Sequence, residues 1–195
     1  MRRRIAALLL ASLALAGCRG EAPPKPDANP TARPSATGSA GALALGTRVE
    51  TVGAGGLGRL ELTPTSIAYL QAGSTSEKPQ AEGFVFVTVK VVATAPVGTA
   101  QTSPISNGGW SWVAPDGEAI KQGNGSAFNV VAESFNASFI SPGTFDWAGV
   151  VFDVKVTQAG GMLLYTDGAG QAYRWAMPKT DSGPQVAQIK QELAP

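Results

Sequence analysis

Histidine is absent from this 195-residue chain, and cysteine occurs once. Without histidine there is no Ser-His or Cys-His nucleophile and no histidine-held metal. A single cysteine excludes an internal disulfide and every multi-cysteine zinc or iron–sulfur site. Charge is scarce too. Asp, Glu, Lys and Arg make up 15% of the residues and the formal net charge is +1, where an ordinary soluble domain carries about 25% charged residues. A surface so nearly neutral gives no support for nucleic-acid binding, which draws on a basic face. Outside Met1, the methionines are Met162 and Met177, too few and too far apart for copper handling. No Gly-x-Ser-x-Gly elbow occurs, and no Ser-x-x-Lys spacing precedes any lysine. The carboxylates of Asp116, Glu118, Asp146, Asp153 and Asp167 are scattered along the chain and lack the alternating spacing of a calcium loop. This inventory predicts no metal, no cofactor and no catalytic centre.

What is present begins at the N-terminus, MRRRIAALLLASLALAGC. Arg2, Arg3 and Arg4 form a basic start, and Ile5 to Gly17 is an apolar run of 13 residues. A membrane-spanning helix needs about 20 apolar residues, so this run is too short to span. A basic start, a short apolar segment and small residues at its end predict a signal peptide over residues 1–17. The segment Leu15-Ala16-Gly17-Cys18 resembles the lipobox of bacterial lipoproteins. That resemblance implies a diacylglyceryl group on the sulfur of Cys18 and cleavage just before it. One acyl chain holds a protein to a bilayer only marginally, and two hold it lastingly. The expected location is the bacterial cell envelope, lipid-anchored and extracytoplasmic, with the membrane as a partner. Losing Arg2, Arg3 and Arg4 leaves 12 basic residues against 14 acidic ones, a formal charge of −2.

Residues 18–45 follow as a Pro/Ala-rich linker carrying Pro23, Pro24, Pro26, Pro30 and Pro34 and no aromatic residue. Such a segment buries too little apolar surface to offset its ordering entropy, which predicts a disordered tether. All 14 aromatic residues lie between Tyr69 and Trp175. Aromatic side chains dominate core burial, so the folded body is expected there, over residues 46–179.

The body reads as strands. In Gly83-FVFVTVKVV, Val85, Val87, Val89 and Val91 share one face, and Phe84, Phe86, Thr88 and Lys90 share the other. A run this apolar predicts a central strand. In AGVVFDVKV, Val150, Phe152, Val154 and Val156 point one way and Val151, Asp153 and Lys155 the other, which predicts a wet outer face. Turn residues separate the runs at Pro115-Asp116-Gly117, at Pro142-Gly143 and at Asp167-Gly168-Ala169-Gly170. Gly53-Ala54-Gly55-Gly56-Leu57-Gly58 formally matches a dinucleotide fingerprint, but a strand-like RLELTPTSI follows where that site needs a helix, so a hairpin loop is expected. About seven to nine short strands with regular punctuation predict an antiparallel β-sandwich. A short helix is expected in the tail, residues 180–195, where Val186, Ile189 and Leu193 recur at helical spacing after Pro184.

The pieces GFVFVTVKV, APDGEAI and ISPGTFDWAGVVFDV resemble a bacterial extracellular domain of unknown function with an immunoglobulin-like sandwich. That fold is shared with a secreted mycobacterial immunoprotective antigen. The resemblance spans about residues 46–178 and implies an all-β, immunoglobulin-like fold. It supplies no catalytic residues. The family often has an asparagine after its first strand, where this chain has Val91-Val92-Ala93, and a proline where Lys155 stands.

Trp110 and Trp112 are two residues apart and share a face. Two readings stand for them: an exposed platform that stacks on sugar rings or anchors a partner, or strand tryptophans that fill the core. The whole sequence therefore predicts an anchored, non-enzymatic binding or structural module, with an envelope protein or glycan as its partner. The alternative is a sensory or substrate-binding lipoprotein that holds a small ligand or glycan.

Overall fold

The computed structural model describes residues 41–73, 77–94, 101–102, 108–137 and 139–194. The expected signal peptide, the lipobox-like residues Leu15, Ala16 and Gly17, Cys18 and the expected tether up to residue 40 lie outside the described residues.

Among the described residues, nine strands form two packed sheets. They are β1 (Leu43–Ala44), β2 (Val49–Val52), β3 (Arg59–Leu70), β4 (Gly83–Ala93), β5 (Gly109–Val113), β6 (Ala119–Lys121), β7 (Phe145–Val154), β8 (Met162–Thr166) and β9 (Ala172–Ala176). One sheet runs β1-β9-β8-β5-β6 and the other β2-β3-β4-β7. The chain is an all-β sandwich, with the strand count expected from the turn punctuation. Every pairing is antiparallel except β1 with β9, which is parallel, with Leu43 opposite Trp175. Leu43 and Leu45 already pack on the core, so the sheet takes in residues that composition assigned to the tether.

The alternation on β4 is realised. Val85, Val87, Val89 and Val91 face the other sheet, and Phe84 and Phe86 face outward into a second cluster. β4 lies between β3 and β7, the central place its apolar faces demand. On β3 the alternation breaks. Leu60 and Leu62 point inward, but so does Ile67, because the register slips between Pro64 and Ser66. An extra residue there shifts the phase of every later side chain by one face.

The outer face of the four-stranded sheet is covered over part of its area. Val151 and Asp153 are both buried, contrary to the expectation for β7. The strand ends at Val154, and Val156 sits exposed on a 3-10 turn, Val156–Gln158, rather than facing the core. Two further pieces cover this face. One is an arch of 3-10 turns at Gly125–Asn129 and Glu133–Phe135, which brings Ala127, Val130, Ala132 and Phe135 onto Phe86 and Val151. The other is helix α1 (Val186–Glu192), whose Ile189 is buried together with Leu193 just beyond it.

The tail that carries α1 is tied to β3 before the helix begins. Ile67 and Ser182 exchange backbone hydrogen bonds of 2.8 and 2.9 Å. Gln185 N donates to Ser66 Oγ at 2.9 Å, and Tyr69 N donates to Asp181 Oδ1 at 2.8 Å. Burial alone would raise the Asp181 carboxyl, but hydrogen bonds from Lys190 and from Tyr69 N–H outweigh it and hold the group below its ordinary value. Ile189→Ala is expected to cost about 2–4 kcal/mol, because it opens a void against the outer sheet face. Urea unfolding followed by tryptophan fluorescence checks this. A loss under about 0.5 kcal/mol would mean that the helix contributes no packing.

Candidate functional site

The tryptophan pair is core. Trp110 is 2% exposed and Trp112 is 0% exposed. Both sit on β5 and point between the sheets. Trp110 stacks tilted on Tyr165 with ring centroids 4.5 Å apart and lies 6.1 Å from Trp175. Trp112 lies 6.0 Å from Phe152 of the opposite sheet, and its Nε1–H donates to the carbonyl of Gln158 at 3.0 Å. The platform reading of Trp110 and Trp112 is therefore overturned. Large flat rings with one polar handle fill an inter-sheet space and satisfy their N–H on a nearby carbonyl.

The buried carboxylates are held by donors of the protein itself. Asp153 is 3% exposed. Its Oδ2 accepts from Gln80 N at 2.7 Å and Ser126 N at 3.1 Å, and its Oδ1 accepts from Ala81 N at 2.9 Å. Asp167 is equally enclosed. Its Oδ2 accepts from Thr51 Oγ1 at 2.9 Å and its Oδ1 from Ala169 N and Gln171 N at 2.9 and 2.8 Å. Asp167 thus staples the β8–β9 turn to β2, and Asp153 fixes the arch to β7. Among the described residues, no three or more Cys, Asp or Glu side chains are placed to hold a metal ion.

One open feature is a cleft of about 410 Å³ between the arch and β7. Phe86, Gly149 and Val151 form its floor, and Phe135 closes one side, edge-on to Phe86 with centroids 6.0 Å apart. Phe128 and Val131 stand at the rim, 78% and 51% exposed. Gln122, Asn136 and Thr102 supply the polar lining, and none of the described lining residues is ionisable. Gly149 is required by close approach. A Cβ there would sit 2.6 Å from Phe86 Cζ and 3.0 Å from the carbonyl oxygen of Phe135.

The arch is fixed from below. Asn124 brackets β7 twice: its Nδ2 donates to the carbonyl of Asp153 at 2.7 Å, and its Oδ1 accepts from Asp153 N at 2.9 Å. Gly125, at φ +53°, has a position where a Cβ would meet Asp153 Oδ2 at 2.6 Å. Further down the outer face of β7, Trp147 and Phe145 follow Gly149 at two-residue steps. Their rings meet edge-to-face at 6.4 Å, with Lys90 Nζ 4.3 Å from the Phe145 centroid.

Sequence reasoning passed over this cleft. Its one visible signal is that Phe128, Phe135 and Phe139 crowd into a segment between two strands, without strand or helix periodicity. A plain connection has no need of three large apolar rings. Comparison with protein-family models, with curated proteins and with solved structures finds no match to this chain.

Proposed function

We propose that this chain is a lipid-anchored protein of the bacterial cell envelope whose β-sandwich is a non-catalytic binding or structural module, borne on a Pro/Ala-rich tether. The position of the only cysteine carries the reading. Cys18 stands directly after Leu15-Ala16-Gly17, at the end of a short apolar run behind three arginines. The leader, the cleavage motif and the acceptor thiol are separate features, and each is where lipidation needs it.

The sandwich supports the immunoglobulin-like resemblance. The path passes from β4 in one sheet to β5 and β6 in the other, back to β7, and again across to β8 and β9. That alternation is how an immunoglobulin-like sandwich is threaded, with a buried tryptophan on the strand after the first crossing. Trp112 occupies that place. The two enclosed carboxylates, Asp153 and Asp167, favour binding over chemistry, since their oxygens already accept hydrogen bonds from the protein. The second reading, a ligand- or glycan-binding lipoprotein, is favoured by the cleft under the arch, whose volume falls within the usual range of about 300–1,000 Å³ for ligand pockets.

The test is Cys18→Ser in a bacterial host. The wild-type chain is expected in the membrane fraction and in the detergent phase, and it should take up labelled palmitate. The variant is expected in the soluble fraction, with at least about a tenfold fall in membrane-bound protein, since no single weak contact replaces two acyl chains. A variant that stays membrane-bound refutes the anchor.

A further inference from the structure

We propose that the cleft between the arch and β7 binds a short stretch of neutral sugar chain, with Phe128 as the stacking face and the side-chain amides of Gln122 and Asn136 as the hydrogen-bonding groups. The proposal rests on the reading of the sandwich as a displayed binding module and names the ligand class.

Charge comes first. None of the described residues lining the cleft is ionisable. An ionic ligand would give up hydration there without gaining a partner of opposite charge. The ligand is therefore neutral. The lining is also divided in chemistry. Phe128 and Val131 hold apolar surface out at the rim, while Gln122 and Asn136 bring carboxamides into the same space. A wholly apolar occupant such as an acyl chain would cover those amides and leave their donors and acceptors unmatched. The ligand therefore carries apolar faces and neutral polar edges together.

A peptide strand meets that description, but the backbone it would pair with is already used. Gly123 N donates to the carbonyl of Val151, and Ala137 N to the carbonyl of Trp147, each at 2.9 Å. Asn136 bridges to Ala148 between them. Strand addition needs a free edge of N–H and C=O groups, and the arch occupies this stretch of β7. A sugar ring needs no such edge. Its C–H face packs on an aromatic ring, and its hydroxyls both donate to and accept from carboxamides.

The site is also set before a ligand arrives. Asn124 and Asp153 lock the foot of the arch to β7. Gly149 lets Phe86 and the carbonyl of Phe135 close on the floor, where a Cβ would collide with both. Ordering costs on binding are correspondingly low. Trp147 and Phe145 extend an aromatic track from Gly149 along the outer face, so a chain longer than one ring has further surface to follow.

The test uses the lipidated chain purified in detergent. Calorimetric titrations employ two neutral probes, the tetramer of N-acetylglucosamine and maltotetraose. The comparison probes are a charged tetragalacturonate and a neutral eight-residue Val-Thr peptide. Saturable binding of at least one neutral tetramer is expected, at least about tenfold tighter than either comparison probe. Phe128→Ala should weaken that binding at least about tenfold with an unchanged melting temperature, because the ring is exposed in the free protein. Gln122→Ala should weaken it while leaving membrane fractionation intact. Failure of both neutral tetramers to bind overturns the assignment. So does unaltered binding in Phe128→Ala, or equal or tighter binding of the peptide or the charged tetramer. A Cys18→Ser chain that stays membrane-bound overturns the anchor alone.

Discussion

Asp153→Ala is expected to lower the unfolding free energy by about 3–5 kcal/mol. Three backbone N–H groups, those of Gln80, Ala81 and Ser126, point at this one carboxylate. Removing it leaves buried donors unmet, and each unmet donor costs about 1–3 kcal/mol, part of which entering water returns. A domain of this size is stable by only about 5–15 kcal/mol, so the loss is a large share of the total. The segments released are specific. The loop at 80–81 and the foot of the arch at 124–126 both hang on this side chain, and the foot is held in addition by the two Asn124 hydrogen bonds to the Asp153 backbone. Amide hydrogen exchange should therefore quicken first at Ser126 and Ala81. Asp153→Asn keeps one acceptor oxygen and is expected to lose about half as much. Guanidinium unfolding measures both. A loss below about 1 kcal/mol for Asp153→Ala would show that water replaces the carboxylate at little cost, and the arch would then owe its position to the packing of Ala127, Val130 and Phe135 and to the Asn124 and backbone hydrogen bonds to β7.

Trp112→Ala is expected to cost about 3–5 kcal/mol, enough to leave much of the chain unfolded at 37 °C. The ring lies against Phe152 across the inter-sheet space, and Gly161 packs so closely beneath it that a Cβ there would come 2.8 Å from Trp112 Cε2. Truncation therefore opens a cavity with little freedom to collapse, and it orphans the carbonyl of Gln158. Trp112→Phe separates the two effects. It keeps most of the volume while removing the N–H, so a smaller loss of about 1–2 kcal/mol is expected. Thermal and denaturant unfolding followed by far-UV dichroism reads each value. Had Trp112 been a ligand platform, Trp112→Ala would leave stability within about 0.5 kcal/mol, and that result would contradict the packing described here.

Much of the fold was legible from local pattern. The inward valines of β4, the hairpin turns at Pro115–Gly117 and Asp167–Gly170 and the short helix after Pro184 all follow from residues near one another in sequence. Parity along a strand is a local property. It places Trp110 with Trp112, and Phe84 with Phe86, before any fold is known. Parity does not say which face is covered. Val151 and Asp153 read as a wet face because the cover over them, the arch and the loop at 80–81, comes from other segments of the chain. The same limit hid the cleft, whose floor is strand and whose rim is arch.

By itself the sequence determined the absence of histidine chemistry and the all-β body, because each depends on composition or on a period of two. Tertiary structure decided the rest. It sent both β5 tryptophans inward, slipped the register of β3 at Thr65, brought Leu43 into the sheet and laid a partial third layer over the β3-β4-β7 face. These are outcomes of long-range packing, where the apolar area that two distant segments bury together outweighs what either prefers alone.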